Sequence, residues 1–311
     1  MTILKNTANN RRIYLLLILV VVLWGVNVVS IKYLTHFFPP LALAPIRLFL
    51  ASALLLPFAL RQHGYKKLSS REWSPIIGVS MFCIFLHQIV LTIGLTATSG
   101  IHGVLILGLN PLFTTIFASL LLKEEFTWAK GIAILFGFSG LLLVVSGSSE
   151  GGATLTGDGI MFIATITFVI GSLFVKKATL FVPPLIVTAY SHCLAAIGLL
   201  ILSLFVNPIW NYPGAYDFWP IAVLLFSSFF STALGALWWN TAIQQVGAST
   251  SSLFQNGSPI IGVLASAIFL GEQLYWYHFV ALLLVILGVS LGTGVIRIPT
   301  RLLLLGSKLR H

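Results

Sequence analysis

The amino-acid sequence predicts an all-α membrane protein of ten transmembrane helices. They form two inverted-topology five-helix repeats, with both termini on the cytoplasmic side. Three observations carry this expectation: a composition too apolar for a water-facing surface, a row of long unbroken apolar segments, and a residue pattern in the first half that returns in the second.

The 311 residues are 58% hydrophobic and 8% charged, with a mean hydropathy of +1.03. A soluble domain carries roughly 25% charged residues, so this chain could not clothe a soluble fold of its size. A helix that crosses hydrocarbon needs about 20 apolar residues, which leaves room for about ten crossings joined by short loops. A barrel would instead alternate apolar and polar residues over about ten-residue strands, and no such alternation runs through this sequence. The net charge of +10 excludes little by itself. Its carriers sit in loops and tails, as membrane topology requires, and offer no basic face to nucleic acid. Cys83 and Cys193 lie in apolar runs without metal-ligand or disulfide spacing, so neither a metal nor a cofactor is expected.

Taken in order, the apolar segments are 13–34, 41–60, 74–95, 100–122, 126–146, 158–175, 184–206, 218–240, 249–270 and 275–296. The first follows Lys5, Arg11 and Arg12 like a secretory leader. It runs on through Trp24, Val28 and Ile31 with no small-residue cleavage site, and is therefore read as a retained span. With the N-terminus inside, 15 of the 17 Lys and Arg residues fall on cytoplasmic stretches, leaving only Lys32 and Arg47 elsewhere. Glu150, Asp158, Asp217 and Glu272 fall on the outer side. This asymmetry sets the orientation and requires an even number of spans.

The halves repeat. Phe37-Phe38-Pro39-Pro40 returns as Phe181-Val182-Pro183-Pro184, and Lys32 meets Lys176 at the same offset of 144. Pro111, Glu124, Trp128 and Gly140 meet Pro259, Glu272, Trp276 and Gly288 at an offset of 148. The unit holds five spans, an odd number, so the second copy enters the membrane upside down relative to the first. Inverted repeats are characteristic of secondary transporters, with the solute site near the midplane between the halves. The expected organisation is a first repeat at 1–147, an extracytoplasmic linker at 148–157, a second repeat at 158–296 and a basic cytoplasmic tail at 297–311.

The order of short motifs resembles the EamA-type ten-helix carriers of the drug/metabolite transporter superfamily. The stretches concerned are Leu23-Trp24-Gly25-Val26-Asn27, Pro45-Ile46-Arg47, Asn110-Pro111 and Lys123-Glu124-Glu125, then Trp238-Trp239-Asn240, Gly247-Ala248-Ser249, Pro259 and Leu270-Gly271-Glu272. The resemblance covers about residues 13–296. It implies carriage of a small polar metabolite, often an amino acid and often outward, with spans 1, 3, 4, 6, 8 and 9 around the central cavity.

Polar groups at membrane depth are costly unless they face a cavity or a partner. Trp24 and Asn27 share a face of the first span. His87, Gln88 and Thr92 cluster on the third, with His102 and Asn110 on the fourth. Trp238, Asn240 and Gln244 lie on the eighth, and Gln255 and Asn256 on the ninth. These are the expected solute contacts, although any one of them could serve instead as interhelical glue. Pro111 and Pro259 interrupt matched spans and Glu124 and Glu272 sit at matched span ends, which makes these four the candidate hinges and gates. Arg47, six residues into its span, reads either as an anchor for an anionic solute group or as a structural cation that snorkels to the surface or pairs with a carboxylate or a helix end. The resemblance, in which the second span is peripheral, implies the structural role. No Asp or Glu lies deep in any drawn span, so His87, His102 and His192 are the groups expected to titrate there.

These features predict a secondary carrier in the cytoplasmic membrane for an amino acid or related zwitterion, working with the bilayer and a small solute as its partners. A homodimer is compatible with this. The runner-up is an exporter of amphipathic or aromatic cations. An intramembrane enzyme would need a nucleophile–base pair or a metal cluster, and no phosphate-binding loop for ATP is present.

Overall fold

The computed structural model describes residues 2–122, 128–146, 153–206, 212, 214–247, 251–252 and 254–292. Glu124, much of the expected linker and the basic tail lie outside them. Every regular element among the described residues is helical. In chain order these are α1 (Thr2–Leu34), α2 (Pro40–His63), α3 (Ser70–Ala97), α4 (Gly100–Leu107), α5 (Asn110–Leu122), α6 (Trp128–Ser146), α7 (Leu155–Ala178), α8 (Pro184–Val206), α9 (Phe218–Val246), α10 (Gly257–Leu270) and α11 (Trp276–Gly292).

Six of these (α1, α2, α3, α7, α8 and α9) are long and apolar enough to cross a membrane. The remaining apolar helices are shorter. Leu15, Phe58, Leu142, Phe205 and Phe269 are each more than half exposed. In water such a surface would drive aggregation, whereas against acyl chains it is the stable arrangement. Proline sets several boundaries: Pro40 and Pro184 open α2 and α8, where a missing N–H has no intrahelical partner to lose. α3 opens on Ser69, whose backbone N–H and hydroxyl both donate to Glu72, 2.9 Å away in each case.

Helix starts recur at the two sequence offsets. Pro40 and Pro184 differ by 144, and Trp128 and Trp276, which open α6 and α11, by 148. One further recurrence has no counterpart in the hydropathy. α3 contains a π-helical stretch, Val79–Leu86, and α9 contains one at Phe226–Gly235. Shifted by 148, the first stretch falls inside the second. Widened turns of this kind interrupt the regular hydrogen-bond ladder and concentrate at functional sites.

The halves are interleaved rather than set side by side. The largest packing faces join α6 to α11, α2 to α8, α3 to α7 and α1 to α10. The last of these is close because of Gly25. A Cβ there would lie 2.9 Å from the Ser258 carbonyl oxygen and from the Ile261 Cβ. We expect Gly25→Ala to destabilise the fold by about 1–3 kcal/mol, the usual range for overpacking. A lowered melting temperature in detergent would show it, and an unchanged one would mean that α10 can shift away.

Candidate functional site

Between the halves lies a cavity of about 140 Å³. The first half contributes Trp24 and Asn27 from α1, Cys83, His87 and Gln88 from α3, and Asn110 at the start of α5. The second contributes Phe168 from α7, His192 from α8, Thr232, Trp239 and Asn240 from α9, and Gln255 and Ser258 around the start of α10. Both π-helical stretches face the cavity, through Cys83 and Ile84 on one side and Ser231 and Thr232 on the other.

Aromatic rings form one wall. The Trp24 ring lies 5.2 Å from that of Trp239 and meets Phe168 edge-on at 5.7 Å. The Trp24 indole N–H donates to the Ser231 carbonyl at 3.1 Å, fixing the ring against α9. His87 places Nδ1 2.9 Å from the Ala164 carbonyl oxygen. A carbonyl only accepts, so Nδ1 bears the proton and Nε2 is left toward the cavity.

The solute contacts expected from sequence divide in two. Trp24, Asn27, His87, Gln88, Asn110, Asn240 and Gln255 line the cavity. Thr92, His102, Trp238, Gln244 and Asn256 do not line it. Thr92 is fully buried and donates back to the Gln88 carbonyl at 2.6 Å. Gln244 donates to the Thr179 carbonyl at 3.0 Å, at the far end of α9. Trp238 packs on the apolar core. Asn240 donates its amide to the Thr188 hydroxyl at 2.9 Å. Pro111 and Pro259 do not bend continuous helices. Each stands in the first turn of a helix that restarts after a turn, at 108–109 and at 255–256, where proline breaks no hydrogen bond.

Arg47 departs from its structural reading. It is 1% exposed and reaches neither the surface, nor a carboxylate, nor a helix end. Its Nε donates to Ser227 Oγ at 2.8 Å, Nη1 to Gln88 Oε1 at 3.0 Å and Nη2 to Thr232 Oγ1 at 2.9 Å. Ser227 in turn donates to Asn27 Oδ1 at 2.6 Å. The inward course follows from Ser227 and Thr232 on the π-helical stretch of α9, which present two hydroxyls to the guanidinium.

A second buried polar group stands at a span end. Asp158, which the sequence puts on the outer side, lies in the first turn of α7 and is 1% exposed. It accepts from the Thr98 hydroxyl and, at 3.0 Å, from His102 Nδ1. Burial comes from α4 and α7 packing together, which turns His102 away from the cavity. His278, on α11, stands 5.7 Å from the His102 ring centre. The adjoining α3–α4 junction is gripped from two sides. Lys32 Nζ donates to the Leu95 and Thr98 carbonyls at 2.8 and 2.6 Å. Glu272 accepts from the Gly100 and Ile101 backbone N–H groups at 2.6 and 2.8 Å. A cation at a helix C-terminus and an anion at a helix N-terminus both complement the backbone dipole.

Helices long and apolar enough to cross a membrane enclose a polar cavity here, the architecture of a multi-pass membrane protein, and the family match makes it a transporter. The chain belongs to the EamA-like transporter family, which it matches over residues 11–146 and 155–293. It is 36% identical over 299 residues to the uncharacterized transporter YyaM of Bacillus subtilis, covering 92% of this chain and 95% of that one. An uncharacterized transporter of Archaeoglobus fulgidus is 27% identical over 277 residues, covering 89% and 96%. In shape the chain is similar to a solved crystal structure at a TM-score of 0.67 and 15% identity, over 97% of this chain and 99% of that one.

Proposed function

We propose that the protein is a secondary carrier of the cytoplasmic membrane that exports an amino acid or related zwitterion by alternating access. In this reading ten helices cross the bilayer as two inverted five-helix repeats, at about 1–147 and 158–296, with both termini in the cytoplasm. The recurring helix starts, the paired π-helical stretches and the distribution of Lys and Arg support that arrangement. The observation that carries the functional reading is the cavity itself, whose polar lining is drawn from both halves. A rocking motion of one half against the other would divide such a site and alternate its exposure. Its volume lies well below the roughly 300–1,000 Å³ of drug-sized sites, which favours a small metabolite. Outward transport is what the resemblance implies.

The aromatic wall of Trp24, Phe168 and Trp239 favours a second reading, an exporter of aromatic cations, since ring faces attract positive charge. Arg47 opposes it, because no carboxylate in the described residues offsets that charge.

The test is flux. Purified protein in liposomes should exchange labelled neutral amino acids, and the transported solute should slow alkylation of Cys83, which lines the cavity, in a Cys193→Ser background by at least threefold. A broad metabolite panel giving neither flux nor thermal stabilisation would sink the carrier reading.

A further inference from the structure

We propose that Arg47 organises a carboxylate subsite on the cavity wall, with the side-chain NH₂ groups of Asn27 and Gln88 as the donors that touch the solute. The inference rests on the carrier reading and names the chemistry its solute must bear.

The argument starts from hydrogen-bond direction. A guanidinium has donors only. Gln88 must therefore turn its amide oxygen toward Arg47, as it does at 3.0 Å, and its NH₂ points elsewhere. Ser227 Oγ accepts from Arg47 Nε and has one proton to give, which goes to Asn27 Oδ1 at 2.6 Å. That leaves the Asn27 NH₂ outward as well. Both side chains line the cavity, and neither NH₂ group has a hydrogen-bond partner among the described residues. The third arm, through Thr232 Oγ1, ends when that hydroxyl donates to the Ser227 carbonyl at 2.8 Å. The network thus consumes acceptors on the arginine side and presents donors to the cavity.

Charge points the same way. Arg47 is 1% exposed, and its three partners are neutral. The ion pairs among the described residues are Lys66 with Glu72 and His102 with Asp158. An isolated buried cation is costly, and an anion arriving nearby lowers that cost. α5 and α10 also begin at the cavity, where Asn110 and Ser258 line the wall. Helix N-termini carry partial positive charge and in carriers are found pointing at anionic solute groups. Two amide donors, an uncompensated guanidinium behind them and two helix starts make one region of positive potential. His87 Nε2, an acceptor at the same cavity, complements the ammonium end of an amino acid.

The experiment reads binding and flux separately, using leucine, valine, phenylalanine and glutamine together with their amides and decarboxylated amines. The subsite predicts that at least one acid raises the melting temperature of the purified protein and that its amide and amine bind at least tenfold more weakly. Gln88→Glu is the decisive variant. It offers Arg47 a counter-charge, so the ligand-free protein should melt at or above the parent temperature, while affinity for the acid falls at least tenfold. Arg47→Met should lose acid binding too. Should it fail to fold, Gln88→Glu still decides the question. Amides or amines that bind as well as the acids would overturn the proposal. So would Gln88→Glu retaining parental affinity for the acid, or no acid stabilising the protein at all. Acid binding that follows this pattern without flux into liposomes would keep the subsite and overturn the carrier reading instead.

Discussion

Asp158→Ala will melt roughly 6–20 °C below the parent protein. That range follows from the about 3–5 kcal/mol lost when one partner of a buried pair is removed and the about 2–4 °C that each kcal/mol moves the melting point of a larger domain. Asp158 is 1% exposed, Thr98 is fully buried and His102 is 1% exposed. The alanine leaves the Thr98 hydroxyl and the His102 Nδ1–H facing a void where no water is supplied from bulk. His102 Nε2 already lacks a partner, so the imidazole would lose its remaining polar contact from α7. Asp158→Asn keeps one carbonyl oxygen and should cost less than half as much. His102→Ala added to Asp158→Ala should cost little more, because the two residues share one interaction and their effects do not add. Tryptophan fluorescence during a thermal ramp measures all three. A loss under about 2 °C for Asp158→Ala would show that α4 and α7 are held by apolar packing alone.

Asp158 also shows where the sequence stops being readable. Hydropathy locates a span, and a carboxylate at a span end is read as facing water, because the pattern along one helix carries no information about which neighbour covers it. The inward course of Arg47 is hidden for the same reason. Its partners Ser227 and Thr232 stand 180 and 185 residues away, and their approach depends on a π-helical stretch that no hydrophobic period announces. By contrast, Asn27, His87, Gln88, Asn240 and Gln255 were legible, because an amide or imidazole inside an apolar run must face a cavity or a partner.

The internal repeat also marks cavity positions that hydropathy does not. At an offset of 144 Trp24 falls on Phe168, and at 148 Cys83 falls on Ser231, Ile84 on Thr232 and Asn110 on Ser258. All eight line the cavity. Apolar residues such as Phe168 and Ile84 give no signal of their own inside a span, and only their repeat mates mark them. Arg47 has no such mate, since the matching position is Ser191. Four pairs of repeat mates thus line the cavity, while the charge of Arg47 behind its wall comes from one half alone.

Glu272→Ala should open the cavity from the side that is extracytoplasmic in the proposed orientation. Glu272 belongs to the second half and holds the Gly100 and Ile101 N–H groups of the first, while Lys32 holds the Leu95 and Thr98 carbonyls beside them. Together with Asp158 on Thr98 and His102, Glu272 ties the halves at that end. Lys176, the repeat mate of Lys32, is exposed. Losing a helix cap and a charge at a helix N-terminus is worth about 1–2 kcal/mol, and one or two kcal/mol changes a two-state ratio by a factor of roughly 5–30. In a Cys193→Ser background, a membrane-impermeant maleimide applied to intact cells should label Cys83 at least fivefold faster once Glu272 is alanine. Net flux should fall, because a carrier that rests open on one side completes fewer cycles. Glu272→Gln, which keeps an acceptor but loses the charge, should fall between parent and alanine in labelling rate. A purely local cap predicts a different pair of results: a lower melting temperature with unchanged labelling of Cys83. Faster labelling without any loss of flux would likewise remove Glu272 from the gate, since the opened state would then not slow the cycle.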